Sequence, residues 1–200
     1  MRSAKRLCVC RVCARPFLLL HKTRTATLWP IVDTRDKNIV LIGMPGVGKS
    51  TVGVLLAKAL GRYFLDTDVL IQAIQGRSLQ EIIDHDGLVV FRRIEEDYVL
   101  CIDLTNAVIA TGGSVVYSEK AMQHLSAHGV IVHLDLPVDR IEQRIRNLPT
   151  RGVVMEKGQT IRSLYDQRQP LYRHYAQLTI DCTDKTHEQI VIEIARALAE

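Results

Sequence analysis

The sequence predicts an α/β protein in three layers, with helices on both faces of a five-stranded parallel sheet. Three observations predict it. Five short apolar runs recur along the chain, and the first and third, Ile39–Ile42 and Ala107–Ala110, have the composition of buried parallel strands. Segments with apolar residues at helical spacing separate these runs, the alternation that builds a parallel sheet. The first run closes on a glycine-rich turn that opens directly into a helix.

The first strand is Asn38-Ile39-Val40-Leu41-Ile42-Gly43, a β-branched run ended by glycine. Ser50–Leu60 carries apolar residues at helical spacing, with Gly61 as its stop. Tyr63–Asp66 is the second strand, and Asp68 makes an N-cap for the apolar helix that follows it. Residues 79–104 are helical, with Leu79, Ile82, Ile83, Val90, Ile94 and Val99 as core positions and Gly87 as an interruption. Ala107–Ala110 is the third strand, stopped at Gly112-Gly113. Helix 118–127, strand Val130–Leu134, helices 138–147 and 160–175, strand Leu178–Asp181 and helix 186–199 complete the chain. No internal repeat or low-complexity tract interrupts this order.

The 200 residues are 47% apolar and 24% charged, the proportions of an ordinary globular chain. No run of eighteen apolar residues predicts a membrane span. Aromatics at 5% argue against a nucleic-acid binder that works by base stacking. The net charge of +4 is unevenly placed. Residues 1–37 hold nine basic groups and two acidic ones, whereas 38–200 hold 17 and 20. The chain therefore divides into a basic extension, 1–37, and a mildly acidic domain, 38–200.

The extension reads as a poorly ordered segment without chemistry. Its acid-poor, Arg-rich composition also suits a targeting presequence, although Ser is scarce. Cys8, Cys10 and Cys13, with His21 nearby, lack the paired clusters of a zinc site. Cys101 and Cys182 lie far apart in apolar surroundings, so a reducing compartment and a cytoplasmic location are expected, with an organelle address left open.

Gly43-Met44-Pro45-Gly46-Val47-Gly48-Lys49-Ser50 fits G-x-x-x-x-G-K-[ST], between a strand and a helix as that motif requires. Glycines let backbone amides close round a phosphate, and the helix adds its partial positive N-terminus. Lys49 would reach the β- and γ-phosphates and the Ser50 hydroxyl would ligate Mg²⁺. Gly43, Pro45, Gly46, Val47, Gly48, Lys49, Ser50 and Thr51 are the expected ATP-binding residues. The motif makes the fold a three-layer α/β/α P-loop NTPase fold.

Three further clusters stand where an acceptor would bind. Asp66-Thr67-Asp68 follows the second strand, so Asp66 should lie near the phosphate loop. One of these carboxylates can hold Mg²⁺ through water while the other accepts a hydrogen bond from a substrate hydroxyl. Phe91-Arg92-Arg93-Ile94-Glu95-Glu96 reads by itself as a solvated helix face with Arg92 paired to Glu96. Thr111-Gly112-Gly113-Ser114 follows the third strand, and its glycine pair admits a ligand close to the backbone.

Taken together and in order, these segments resemble shikimate kinase. The matching parts are the phosphate loop, Phe64-Leu65-Asp66-Thr67-Asp68, Gly76-Arg77-Ser78, Gly87 with Phe91-Arg92 and Glu95, Thr111-Gly112-Gly113, and Arg168 with Pro170-Leu171-Tyr172 and Ala176. The resemblance spans 38–200. It implies ATP- and Mg²⁺-dependent phosphorylation of the 3-hydroxyl of shikimate, in aromatic amino-acid biosynthesis, by a monomer with no nucleic-acid or membrane partner. It makes Asp66 a metal residue beside Ser50. Asp68 would bind the acceptor hydroxyls and orient the nucleophile, and Arg92 and Arg168 would clamp the acceptor carboxylate. Gly112 and Gly113 would touch the acceptor through their backbone. A mobile lid falls at about 147–158 and carries the catalytic Arg151, and Arg144 flanks adenine. Lys49, Asp68 and Arg151 are then the catalytic set.

Two positions depart from the family. Ser114 stands where a third glycine is usual, which puts a side chain against the substrate and adds Ser114 to the substrate-binding residues. Gly152-Val153-Val154 replaces the usual Pro-Leu-Leu after the lid arginine. A kinase of another small hydroxylated carboxylate or sugar-like metabolite is the alternative within enzymes, and two acceptor arginines favour a carboxylate. A non-catalytic nucleotide-binding module would have no chemical reason to keep Lys49, Ser50, Asp66, Asp68 and Arg151 together.

Overall fold

The computed structural model describes residues 37–146, 155 and 158–199. The strands are β1 (Asn38–Ile42), β2 (Tyr63–Asp66), β3 (Ala107–Ala110), β4 (Gly129–Asp135) and β5 (Leu178–Asp181). They lie in the order β2-β3-β1-β4-β5, and every neighbouring pair is parallel. β1 runs through the centre and is buried along its whole length, which is why it has no polar–apolar alternation. Its one polar residue, Asn38, is fully used. The side-chain amide donates to Leu104 O at 2.6 Å and its oxygen accepts from Ala107 N at 3.0 Å, which ties the start of β3 to β1.

The helices are α1 (Lys49–Leu60), α2 (Thr67–Gln75), α3 (Leu79–Asp86), α4 (Leu88–Leu100), α5 (Glu119–His128), α6 (Val138–Arg146), α7 (Ile161–Tyr175) and α8 (His187–Ala197). Among the described residues, no helix is long and apolar enough to cross a membrane. The main core gathers Leu41, Ile42, Val132 and Leu134 of the sheet with Leu56 of α1 and Ile190 and Ile194 of α8 in one buried cluster. A second, small core of Ile71, Leu79, Ile82 and Phe91 lies under α2, α3 and α4.

The structure corrects several expectations. The single helix over 79–104 is two helices, α3 and α4, broken by Gly87 at φ 84° and ending at Leu100. The break resets the helical phase. Phe91, Glu95 and Val99 form the buried stripe of α4, while Val90, expected in the core, is exposed. Leu79, Ile82 and Val99 are buried as expected. The N-cap of α2 is Asp66, not Asp68: β2 runs into α2 without a loop, so the last strand residue is the one placed to cap. A 3₁₀ turn at Val115–Tyr117, absent from the sequence-based reading, follows the glycine pair. Cys182 is buried but Cys101 is exposed, and both are free. The extension before residue 37, with Cys8, Cys10, Cys13 and His21, lies outside the described residues, as does Arg151 with most of the expected lid.

The sheet places the site. A parallel sheet puts the C-terminal ends of its strands at one edge, where ligands bind. Ala110 is in register with both Leu41 of β1 and Asp66 of β2, so the segments that leave these three strands start at one level. Thr111 fastens them: its amide and its hydroxyl both donate to Leu41 O, at 3.2 and 3.0 Å.

Candidate functional site

The phosphate loop owes its path to three glycines. Gly43, Gly46 and Gly48 have φ values of 144°, 80° and 111°, all in the region that excludes most side chains. Gly43 is also crowded: a Cβ there would meet Leu134 O at 2.6 Å. The loop delivers Lys49 into its own concavity, where the ammonium donates to Gly43 O at 2.7 Å and Met44 O at 3.0 Å. Burial pushes the Lys49 pKa down to about 8, against the pull of Asp68, while the Arg168 charge adds to the depression. Ser50 and Thr51 begin the first turn of α1, and Gly48 caps it without a side chain. Arg144 reaches over from α6 and donates to Val47 O at 3.0 Å, which sets its guanidinium against the loop.

Asp66, at the end of β2, accepts from the backbone amides of Asp68 (3.0 Å) and Val69 (3.2 Å) through Oδ1. Thr67 is buried and its hydroxyl accepts from Gly112 N at 3.0 Å, so the start of α2 is pinned to the glycine pair. Asp68 then points at that pair. A Cβ on Gly112 would lie 2.7 Å from Asp68 Oδ1 and within collision distance of Glu95 Oε1. Only glycine at 112 leaves room for both carboxylates. Gly113 is equally close to its surroundings: a Cβ there would come within 3.0 Å of Pro45 in the phosphate loop and of Arg168 Nη1. The glycine-rich loop and the residues expected to bind an acceptor, Asp68 and Arg168, therefore meet at Gly112-Gly113.

Arg168 comes from α7 and is completely buried. One turn later Tyr172, also buried, donates its hydroxyl to Gly113 O at 2.7 Å, and burial keeps that hydroxyl protonated by raising its pKa. Arg92 stands on α4 beside the buried stripe, with its guanidinium 4.4 Å above the ring of Tyr117. The expected Arg92–Glu96 pair is not formed. Glu96 accepts from Ser118 at 2.6 Å and lies 4.0 Å from Lys120.

Glu95 was expected on a solvated face. It is buried in the centre of the site, and burial pushes its pKa up to about 7 even though the Ser114 hydroxyl donates to Oε2 at 2.7 Å. That bond also relocates Ser114. Its side chain was expected against the acceptor, whereas its buried hydroxyl is spent on Glu95. Three residues beyond the sequence-based site thus belong to it: Thr67, Tyr117 and Glu95. Thr67 and Glu95 lie inside segments that carry the family resemblance but have no role assigned there, and Tyr117 lies outside all of those segments. Glu95 could have been found from its spacing, four residues from Phe91 and four from Val99.

The family model described as shikimate kinase matches residues 45–199. The chain belongs to the shikimate kinase family. It is 40% identical over 164 residues to the shikimate kinase of Caldanaerobacter subterraneus subsp. tengcongensis, covering 80% of this chain and 95% of that protein. It is 39% identical over 165 residues to the shikimate kinase of a Nostoc species, covering 80% and 90%. The structure of shikimate kinase from Acinetobacter baumannii in complex with shikimate superposes with a TM-score of 0.76 at 32% identity, over 81% of this chain and 92% of that one. The family is one of ATP-dependent phosphotransferases, so the glycine loop around Lys49 is a kinase phosphate loop.

Proposed function

We propose that the protein transfers the γ-phosphoryl group of ATP to the 3-hydroxyl of shikimate, giving shikimate 3-phosphate and ADP. The supporting observation is the meeting at Gly112-Gly113: Asp68, Arg168 and the Pro45 corner of the phosphate loop all approach these two residues. An acceptor laid on the glycine pair has a carboxylate on one side, guanidinium groups on the other and the phosphate loop beside it.

Asp68 accepts the hydrogen bond of the attacking hydroxyl, holds it in line, and takes its proton as the new P–O bond forms. Arg92 and Arg168 receive the acceptor carboxylate, for which the planar guanidinium fork is suited. Gly112 and Gly113 supply backbone contacts. Lys49 leaves the Gly43 and Met44 carbonyls for the β- and γ-phosphate oxygens, an exchange of one set of acceptors for a more charged one. Gly43, Pro45, Gly46, Val47, Gly48, Ser50 and Thr51 line the triphosphate, Arg144 flanks the adenine, and Arg151 comes in with the lid to stabilise charge on the phosphoryl group in transfer. Asp66 and Ser50 are the residues that fit Mg²⁺. They offer hard oxygen donors, Asp66 at the C-terminal end of β2 and Ser50 in the first turn of α1, and the capping bonds of Asp66 use only Oδ1. Bound there with the nucleotide, the ion screens the charge of the β- and γ-phosphates.

Catalysis is assigned to 38–200 and none to 1–37. The reading is of a cytoplasmic monomer with small-molecule partners. Among the described residues Cys101 and Cys182 are both free thiols, which suits a reducing compartment.

The test is ADP release with shikimate set against other hydroxy acids and sugars, with Asp68→Asn alongside. Shikimate-stimulated turnover, lost by at least a hundredfold in Asp68→Asn while ATP still binds, is the expected result. Stimulation by a different hydroxylated carboxylate and not by shikimate would transfer the assignment to that acceptor. Near-normal turnover in Asp68→Asn would remove Asp68 from its role.

A further inference from the structure

We infer that Tyr117 is a positioning residue for the acceptor site, whose ring holds the guanidinium groups of Arg92 and Arg168 at the spacing a carboxylate needs. The inference rests on the reading that these two arginines bind the acceptor carboxylate, and it adds the group that sets them.

One ring serves both cations. Arg92 Cζ lies 4.4 Å from the ring centroid and Arg168 Cζ 5.3 Å. Both lie within the ~6 Å at which the negative face of an aromatic ring attracts a guanidinium. Arg168 Nε also donates to the Tyr117 hydroxyl, at 3.4 Å. Two like charges brought to one site repel, and a shared π-face between them offsets part of that repulsion without neutralising either. A carboxylate in the same place would pair with the arginines and compete with the substrate. The ring leaves their charge available.

Arg92 depends on the ring most. Its Nε is buried without a hydrogen-bond partner. Beside it is a cavity of about 300 Å³ lined by Arg92, Glu95, Glu96, Ser114, Tyr117 and Ser118. That space gives the guanidinium room to turn toward the Glu96 carboxylate, one helical turn along. The face of Tyr117, 4.4 Å from Arg92 Cζ, offers the guanidinium the competing position.

The ring is itself tied to the acceptor backbone. Tyr117 ends the 3₁₀ turn that begins directly after Gly112-Gly113-Ser114, its amide donates to Ser114 O at 3.0 Å, and Val115 and Val116 before it are buried in the main core. The glycine pair that touches the acceptor and the ring that aims the arginines therefore move as one piece. Pre-set arginines cost less to order when the substrate arrives, so the effect should fall on acceptor binding.

The experiment compares Tyr117→Leu and Tyr117→Phe with the parent protein in steady-state assays, varying shikimate, shikimate methyl ester and ATP in turn. Tyr117→Leu should raise the shikimate KM about tenfold, with kcat and the ATP KM changed by less than about twofold. Tyr117→Phe keeps the face and should stay within about threefold of the parent. The methyl ester, which lacks the carboxylate charge, should show no further loss in Tyr117→Leu. An unchanged shikimate KM in Tyr117→Leu, an equal rise in the ATP KM, or an equal loss with the methyl ester overturns the inference. Arg92→Ala separates the two levels. If it raises the shikimate KM and Tyr117→Leu does not, the inference alone falls; if Arg92→Ala leaves the KM unchanged, the carboxylate clamp falls with it.

Discussion

The Ser114 hydroxyl donates a 2.7 Å hydrogen bond to Glu95 Oε2, and both residues are buried. The bond joins the loop after β3 to the buried stripe of α4, beside the Ser118–Glu96 bond and the Arg92–Tyr117 contact between the same two segments. It also explains how a side chain fits at this position: its hydroxyl is held by a buried carboxylate.

Glu95 should make the protein less stable as pH rises. Its pKa, raised by burial to about 7 in the folded state, stands at about 4.5 in an unfolded chain. Between those values the folded state binds the proton and the unfolded state does not, so stability falls from about pH 4.5 to pH 7 and stays lowered above it. Fully developed, the difference is about 3 kcal/mol. Glu95→Gln, neutral at every pH, should gain stability relative to the parent by about that amount between pH 5 and pH 8, read as the difference between their urea midpoints. Ser114→Gly removes a donor that favours the ionised carboxylate, so its stability loss should extend to higher pH than the parent's. Parallel curves for Glu95→Gln and the parent would mean that Glu95 is not perturbed.

Lys49 gives a second pH dependence, in which the same cause, burial, lowers the pKa of a cation. With its pKa lowered by burial to about 8, the free protein loses the ammonium charge above that pH. ATP affinity should be flat from pH 6.5 to 7.5 and fall above pH 8, by up to about tenfold per pH unit. In Lys49→Arg the guanidinium stays charged throughout, so affinity should be weaker at neutral pH but level to pH 9.5. Calorimetric titration of ATP at five pH values reads both slopes. An equal decline in the two proteins would place the titrating group elsewhere.

The parts of the fold visible in the sequence are those governed by local pattern. Each of the five strands lies where a short apolar run stands, and the loop at Gly43–Ser50 has the positive φ angles its glycines imply. The parts that were hidden depend on what each residue packs against. The Gly87 break was visible, but the direction in which it turned α4 was not, so Val90 went to the core on paper and Glu95 to solvent. Asp66 and Asp68 are both good caps by composition, and only the absence of a loop between β2 and α2 decides between them. Arg92 resembled half of a surface pair with Glu96 because sequence spacing counts only residues on the same helix, while Tyr117 and Ser118 come from another segment. The acceptor residues were legible because a family motif marks them. The groups that hold them were not, since a ring or a hydroxyl is placed by the chain beneath it.

Asp66 has two duties that substitution can separate. Through Oδ1 it caps α2, and it is proposed to hold Mg²⁺ with Ser50. Asn at a cap is about as good as Asp, whereas Ala costs about 1 kcal/mol. Asp66→Asn should therefore keep the parent's thermal midpoint within about 1 °C while raising the Mg²⁺ concentration needed for half-maximal turnover by tenfold or more, since it removes a charged oxygen donor. Asp66→Ala should show the same metal defect together with a midpoint lowered by about 2–4 °C. The two variants share the metal defect only if the carboxylate serves the ion directly. Normal Mg²⁺ dependence in Asp66→Asn, beside a destabilised Asp66→Ala, would leave Asp66 as a helix cap alone.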